Sequence, residues 1–384
     1  MKKLKVMSVF GTRPEAVKMA PVMLALKADP RIASTVCLTA QHRGMLDQVM
    51  KAFGLDAEYD LDLMRESQTL SGLSSRILEC LDGVIQQASP DIVLVHGDTT
   101  TSFVSGLVSF YHKVAVGHVE AGLRSGNKYS PFPEEMNRRL TGQLATLHFA
   151  PTAANKNNLL AGGITGGITV TGNTVIDALR MTVSDRYAFQ NEALANMDFS
   201  AGRTIVVTAH RRENLGEPLM NICGAIMELV NKYPDIRVIY PVHLNPAVQN
   251  TAKSVLGGHP RIHLTAPLDV QDMHNLIARC HMVLTDSGGL QEEAPSLGKP
   301  VLVLRTETER PEAVHAGTVM MAGVEKANIL RLAGQILDDS ALYSRMANTV
   351  NPYGDGNASA RIVQAILHWA GLGQAPAEFS PADK

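Results

Sequence analysis

A chain of 384 residues, 45% of them hydrophobic, is too long for one ordinary core, and two globular domains are expected. Its 35 basic and 37 acidic residues leave a net charge of −2, which supplies no basic field for a nucleic-acid backbone and favours small-molecule chemistry. Four cysteines, Cys37, Cys80, Cys223 and Cys280, stand far apart without metal-ligand spacing, so buried reduced thiols in a cytosolic protein are expected, with no structural zinc.

The basic start Met1-Lys-Lys precedes an apolar run too short for a secretory signal, and no run approaches the roughly eighteen apolar residues of a membrane span. Leu4 to Phe10 reads as a first strand. Thr12-Arg-Pro-Glu15 has capping-box spacing and opens a helix to about Leu26. It is either a plain helix start or, with Arg13 and Lys18 beside a helix N-terminus, an anion site. Val36 to Ala40 reads as a second strand, followed by a helix through Phe53, a polar irregular stretch from Tyr59 to Thr69, and a helix from about Leu70 to Ala88.

The β-branched strand Asp91 to His96 runs into Gly97-Asp98, where a carboxylate either caps the next helix or faces a ligand. Val114 to Val119 is the next strand and ends in a second acid, Glu120. Pro131 and Pro133 stiffen a loop that hands over to a helix near Glu134, where Glu134 and Glu135 either serve the helix dipole or add a third acid. Leu147 to Thr152 reads as the last strand of the first domain. The glycine-rich stretch 162–167 is a loop and not a dinucleotide fingerprint, since it precedes the strand Ile168-Thr-Val-Thr171. A helix opening at Gly172 to Asp177 reads as the hinge.

Beyond it the alternation resumes, each strand ending in a polar cluster. Thr204 to Ala209 leads to His210-Arg-Arg, Val238 to His243 leads to Leu-Asn-Pro246, His281 to Leu284 leads to Thr285-Asp-Ser-Gly-Gly-Leu-Gln-Glu-Glu-Ala-Pro295, and Pro300 to Leu304 leads to Glu309-Arg-Pro-Glu312. A strand passing through Ser-Gly-Gly into a helix exposes backbone N–H groups at a positive helix end, a cradle for phosphate. His210 beside two arginines suits an anionic leaving group. A turn over Asn351 to Gly356 precedes a last helix, Ala358 to Trp369, and the tail from Gly371 is expected to fray. Strands alternating with helices imply an α/β fold of two Rossmann-like domains facing across a cleft. Their expected limits are residues 1–172 and 173–370, with 371–384 as the tail.

The motifs Phe-Gly-Thr-Arg-Pro-Glu-Ala (10–16), His-Gly-Asp-Thr-Thr-Thr (96–101), Gly-His-Val-Glu-Ala-Gly-Leu-Arg (117–124), Pro-Glu-Glu-Met-Asn-Arg (133–138), His-Arg-Arg-Glu (210–213) and Asp-Ser-Gly-Gly-Leu-Gln-Glu-Glu-Ala-Pro (286–295) occur here in order. With them the chain, from residue 4 to about 370, closely resembles the bacterial non-hydrolysing UDP-N-acetylglucosamine 2-epimerases. The resemblance implies a fold like that of GT-B glycosyltransferases, with the last helix crossing back to the first domain. It also implies a cytoplasmic homodimer that needs no cofactor or metal and makes UDP-N-acetylmannosamine for polysaccharide biosynthesis. Asp98, Glu120, Glu134 and His210 then match catalytic positions. Arg13, Lys18, Ser287, Gly288, Gly289, Glu293 and Arg310 match contacts to substrate and UDP. Gln41, His42 and His243 match the site where some relatives bind a second UDP-N-acetylglucosamine as an allosteric activator, although Gly44 and Ser67 depart from the Gram-positive pattern there. Leu268 and Met273 stand on the uracil side, where many relatives carry a polar residue and an aromatic.

The implied reaction is elimination of UDP to a 2-acetamidoglucal followed by re-addition with protonation from the other face, which needs two proton-handling groups. The rivals are a GT-B glycosyltransferase, a hydrolysing epimerase that releases N-acetylmannosamine, and a sensor that binds without turnover.

Overall fold

The computed structural model describes residues 2–40, 43–63, 65 and 68–381. It divides into two compact units: unit 1 takes the chain through Met181 and again from Tyr353, and unit 2 runs from Thr182 to Pro352.

The helix Leu70–Ala88 shows how local sequence builds unit 1. Thr69 caps it by accepting a hydrogen bond from Gly72 N at 3.1 Å. Leu73, Ile77, Leu81 and Ile85, four residues apart, form one buried stripe. That stripe packs on Met7, Val9, Val93 and Val95 of the sheet, each such side chain contributing about 1.5–3 kcal/mol on burial. The sheet comprises β1 (Leu4–Phe10), β2 (Ile32–Leu38), β3 (Tyr59–Asp60), β4 (Ile92–His96), β5 (Ala115–Val119), β6 (Leu147–Ala150) and β7 (Ile168–Val170). Its order is β3-β2-β1-β4-β5-β6-β7, every pairing parallel. The order reverses between β1 and β4, the point outside whose carboxyl ends open α/β sheets bind ligands.

Unit 2 repeats the plan with β8 (Arg203–Thr208), β9 (Ile236–Pro241), β10 (Ile262–Thr265), β11 (Met282–Thr285), β12 (Val301–Val303) and β13 (Val319–Met321). The order is β10-β9-β8-β11-β12-β13, again parallel, with its reversal between β8 and β11. Ile205, Val207, Tyr240, Leu284 and Leu302 belong to one buried cluster with Ile222 and Ile226 of the helix Glu217–Lys232.

Several expectations change. β6 is not the last strand of the first sheet, because β7 pairs outside it, and the stretch 59–69 begins with the short strand β3. β10 and β13 were not singled out in the sequence, since each is only three or four residues long and half-exposed in places. The helix Thr174–Thr182 was expected to open the second domain but lies with unit 1 up to Met181. It buries Val175, Ile176, Ala178 and Leu179 there, and Asp177 accepts from Ala358 N at 3.2 Å and Ser359 N at 2.8 Å, the first turn of the helix Ala358–Trp369. That last helix packs on the helix Arg13–Ala28. The tail does not fray through its described part: Phe379 is buried and donates its N–H to Val170 O at 2.8 Å, and Lys156 Nζ pairs with Glu378 at 2.8 Å.

Candidate active site

At the reversal point of unit 1, Thr12 and Glu15 form the expected capping box. Glu15 does more than cap. Its Oε2 accepts from Gly11 N at 3.1 Å and Thr12 N at 2.8 Å, and its Oε1 accepts from Thr99 Oγ1 at 2.7 Å and Ser102 Oγ at 3.1 Å. One buried carboxylate therefore ties the turn at Gly11 and Thr12, just ahead of Arg13, to the segment after Asp98. Burial raises its pKa above 4.5, against the four donors that lower it.

Asp98 follows Gly97, whose φ of +65° suits glycine. His118 Nε2–H donates to Gly97 O at 2.7 Å, and Gly97 N donates to Val119 O at 2.9 Å, so the peptide ahead of Asp98 is held from both sides. Asp98 is not the helix cap; Thr99 is, accepting from Ser102 N at 3.0 Å. The Asp98 carboxylate is left for Arg138, whose Nη2 stands 2.6 Å from Oδ2, while Asn137 Nδ2 donates to Asp98 O at 2.9 Å. Both partners lie on the helix Glu134–Leu144, which Glu134 opens. Among the described residues one Glu134 oxygen, Oε2, is buried without a hydrogen-bond partner. Its neighbour Glu135 is buried too, but is occupied by Ser125 N at 2.9 Å and Arg139 Nε at 2.9 Å, a structural use.

Glu120 closes β5 with φ at +61°, an uncommon conformation for a residue with a Cβ, costing about 1–3 kcal/mol. Lys18 Nζ and Asn173 Nδ2, the latter at 3.1 Å, hold the carboxylate. His96 Nε2 stands 3.7 Å away. Burial pushes the His96 pKa down to about 4, so this imidazole faces Glu120 neutral at ordinary pH. Asp98, Glu120 and Glu134 thus come from the ends of β4 and β5 and from the helix after β5, with Lys18 from the helix Arg13–Ala28.

At the reversal point of unit 2, Asp286 takes the part that Glu15 plays in unit 1. Its Oδ2 accepts from His210 N at 2.7 Å, Arg211 N at 2.8 Å and Asn214 Nδ2 at 3.0 Å. The His210 ring stacks on His243, centroids 5.1 Å apart and planes 3° apart. Burial lowers the His210 pKa, with Asp286 opposing and His243 and Arg211 reinforcing.

Ser287 precedes the helix Gly288–Ser296, whose first amides have no intrahelical acceptor. Of the three expected cradle amides, that of Ser287 is already donated to Thr285 Oγ1 at 2.9 Å. A Cβ on Gly288 would lie 2.5 Å from Arg310 Nη1, so glycine there lets the guanidinium lie against the cradle. Glu292 Oε1 anchors Arg310 Nε at 2.7 Å. Glu293 stands 3.7 Å from His274 Nε2, and His274 Nδ1 is 2.6 Å from Thr182 Oγ1. Leu268 is buried and Met273 half-buried. Gln41, His42 and Ser67 lie outside the described residues.

The family model for UDP-N-acetylglucosamine 2-epimerase matches residues 24–367. The chain belongs to the UDP-N-acetylglucosamine 2-epimerase family. It is 55% identical to the UDP-N-acetylglucosamine 2-epimerase of Bacillus subtilis, covering 99% of this chain and 100% of that one. With the Neisseria meningitidis enzyme of the same name the identity is 49%, over 95% of this chain and 99% of the other. The solved structure of UDP-GlcNAc 2-epimerase from Neisseria meningitidis bound to UDP-GlcNAc superposes with a TM-score of 0.89 at 49% identity, covering 95% and 100% of the two chains. An S. aureus co-structure with UDP gives 0.90 at 49% identity, over 99% and 100%. As a member of this family the protein is an epimerase.

The sequence reading did not assign the residues that hold the acids of this epimerase. Asn137, Arg138 and His118 sit inside the quoted motifs, and Asn173 follows Gly172 at the expected hinge, but nothing in linear spacing says which backbone or carboxylate each will reach.

Proposed function

We propose that this epimerase interconverts UDP-N-acetylglucosamine and UDP-N-acetylmannosamine without hydrolysis, by eliminating UDP and adding it back. The supporting observation is the gathering of three carboxylates in unit 1, each in a different electrostatic setting: Asp98 against Arg138, Glu120 against Lys18 and Asn173, and Glu134 with a buried unpartnered oxygen. The C2 proton of the sugar has no ring carbonyl beside it, so removing it alone would leave an unstabilised carbanion. Elimination avoids that. A carboxylate takes the C2 proton as the C1–O bond breaks and its electron pair leaves with UDP, giving 2-acetamidoglucal and UDP. Re-addition reverses the electron flow, and a second group delivers a proton to the other face of C2. Asp98, Glu120 and Glu134 supply these groups.

In unit 2 the amides of Gly288 and Gly289, the Ser287 hydroxyl and Arg310 suit the diphosphate, Glu293 suits the ribose hydroxyls, and His210 suits the departing phosphate. Arg13 and Lys18 contribute cationic contacts. The relatives solved with UDP-GlcNAc or UDP carry the same substrate class. A homodimer, a cytoplasmic location and use in polysaccharide biosynthesis belong to the same reading. No described helix is long and apolar enough to cross a membrane. Activation by a second UDP-N-acetylglucosamine near Gln41, His42 and His243 belongs to the same reading, and His243, which it would use, lies stacked on His210.

Incubation with UDP-N-acetylglucosamine in D2O, followed by NMR at C2, tests the reaction. Deuterium at C2 and a mixture of both UDP-sugars are expected. Free N-acetylmannosamine would instead indicate the hydrolysing enzyme, and transfer of the sugar to an acceptor without exchange at C2 would indicate a glycosyltransferase.

A further inference from the structure

The helix Gly288–Ser296 and the loop after β8 are joined by one side chain whose second oxygen has no assigned use. Asp286 is fully buried, and three donors converge on its Oδ2. Among the described residues Oδ1 is buried and lacks a hydrogen-bond partner, yet it stands 3.5 Å from His210 Nδ1. A carboxylate oxygen can only accept, so the imidazole can approach it favourably only with the proton on Nδ1. The other constraints on the ring agree. The His210 backbone is fixed by its own N–H to Oδ2, and its plane is fixed by the parallel ring of His243.

We propose that Asp286 is the positioning residue of His210, holding the imidazole as the Nδ1–H tautomer so that Nε2 alone is presented to substrate. When the ring takes up a second proton, that proton sits on Nε2 and can be given to the departing diphosphate, which returns the ring to the neutral Nδ1–H form, while Asp286 balances the imidazolium charge in between. This rests on the reading of His210 as the group beside the leaving phosphate. It adds why that histidine sits over a carboxylate at the reversal point of its sheet. The arrangement also explains why a single residue ties His210 to the start of the phosphate cradle: Ser287, the next residue, precedes the first cradle glycine.

The test is the tautomer itself. In wild-type protein labelled with 15N-histidine, the ring signals of His210, assigned by their loss in His210→Gln, should show neutral imidazole protonated on Nδ1. An Nε2–H tautomer in the wild type overturns the proposal. In Asp286→Asn the amide oxygen can still accept from His210 N, Arg211 N and Asn214, while its NH2 replaces Oδ1 and repels Nδ1–H. The ring should switch to Nε2–H, with kcat down on the order of 100-fold or more and KM within about threefold. Retention of Nδ1–H, or of full kcat with the tautomer switched, overturns it. Should Asp286→Asn fail to fold, the wild-type spectrum decides alone. His210→Gln separates the two claims: unchanged turnover in that variant removes His210 from the chemistry, while the NMR result still judges Asp286.

Discussion

Glu15 and Asp286 are alike in chemistry and in placement, each a buried carboxylate joining the two loops at the reversal point of its sheet. For Glu15 the consequence is a stability that depends on pH. Its folded pKa lies above the ordinary 4.5, so between that value and the raised folded value the native state holds more protons than the unfolded chain, and stability falls as pH rises through the window. Glu15→Gln should abolish this slope while folding normally, because an amide oxygen can serve Gly11 N and Thr12 N and its NH2 can donate to the two hydroxyls. Glu15→Ala, which strands the two backbone donors, should lose about 2–4 kcal/mol in urea unfolding. An unchanged slope in the Gln variant would contradict the assignment. For the three acids the expectation concerns rate. Asp98→Asn, Glu120→Gln and Glu134→Gln should each lower kcat by about 10²–10⁴-fold with UDP affinity nearly unchanged. Full activity in any one of them removes that acid from the mechanism.

At the scale of an element, the helix Gly288–Ser296 shows how a short segment depends on its neighbours. Its N-terminus exposes amides that have no intrahelical acceptor, Gly288 lets the Arg310 guanidinium lie against them, and Arg310 is held by Glu292 from the same helix. Gly288→Ala would place a methyl group 2.5 Å from Arg310 Nη1, and the far end of an arginine can give way where backbone could not. The fold should therefore survive, with thermal unfolding shifted by a few degrees at most. The UDP Kd, measured by calorimetric titration, should rise about tenfold or more as the guanidinium is displaced. Wild-type affinity would show that Arg310 is not a phosphate contact. The helix Glu134–Leu144 makes the same point in unit 1. Its pattern marks a helix start, but only packing reveals that Asn137 and Arg138 reach back to Asp98.

For the molecule as a whole, the chain leaves unit 1 after Met181 and returns to it at Tyr353. The returning helix Ala358–Trp369 buries Ile362, Val363, Ile366 and Leu367, a contribution of about 5 kcal/mol or more, comparable with the net stability of a domain. Truncation after Pro352 should thus unfold unit 1, seen as loss of its thermal transition and of soluble yield; a stable, cooperatively folded unit 1 without that helix would refute this. The alternation of strands and helices, the capping box at Thr12 and the helix limits at Leu70–Ala88 and Ala358–Trp369 were determined by the sequence alone, because periodicity and capping act over a few residues. The polar clusters at strand ends were legible for the same reason, since a buried strand must emerge at a change of composition. Only tertiary structure decided that Thr174–Thr182 belongs to unit 1, that the tail is held by Phe379, that Arg138 reaches Asp98, and that Asp286 reaches His210. Those outcomes depend on contacts between residues tens to hundreds of positions apart, and such contacts leave no mark in the local pattern of a single chain.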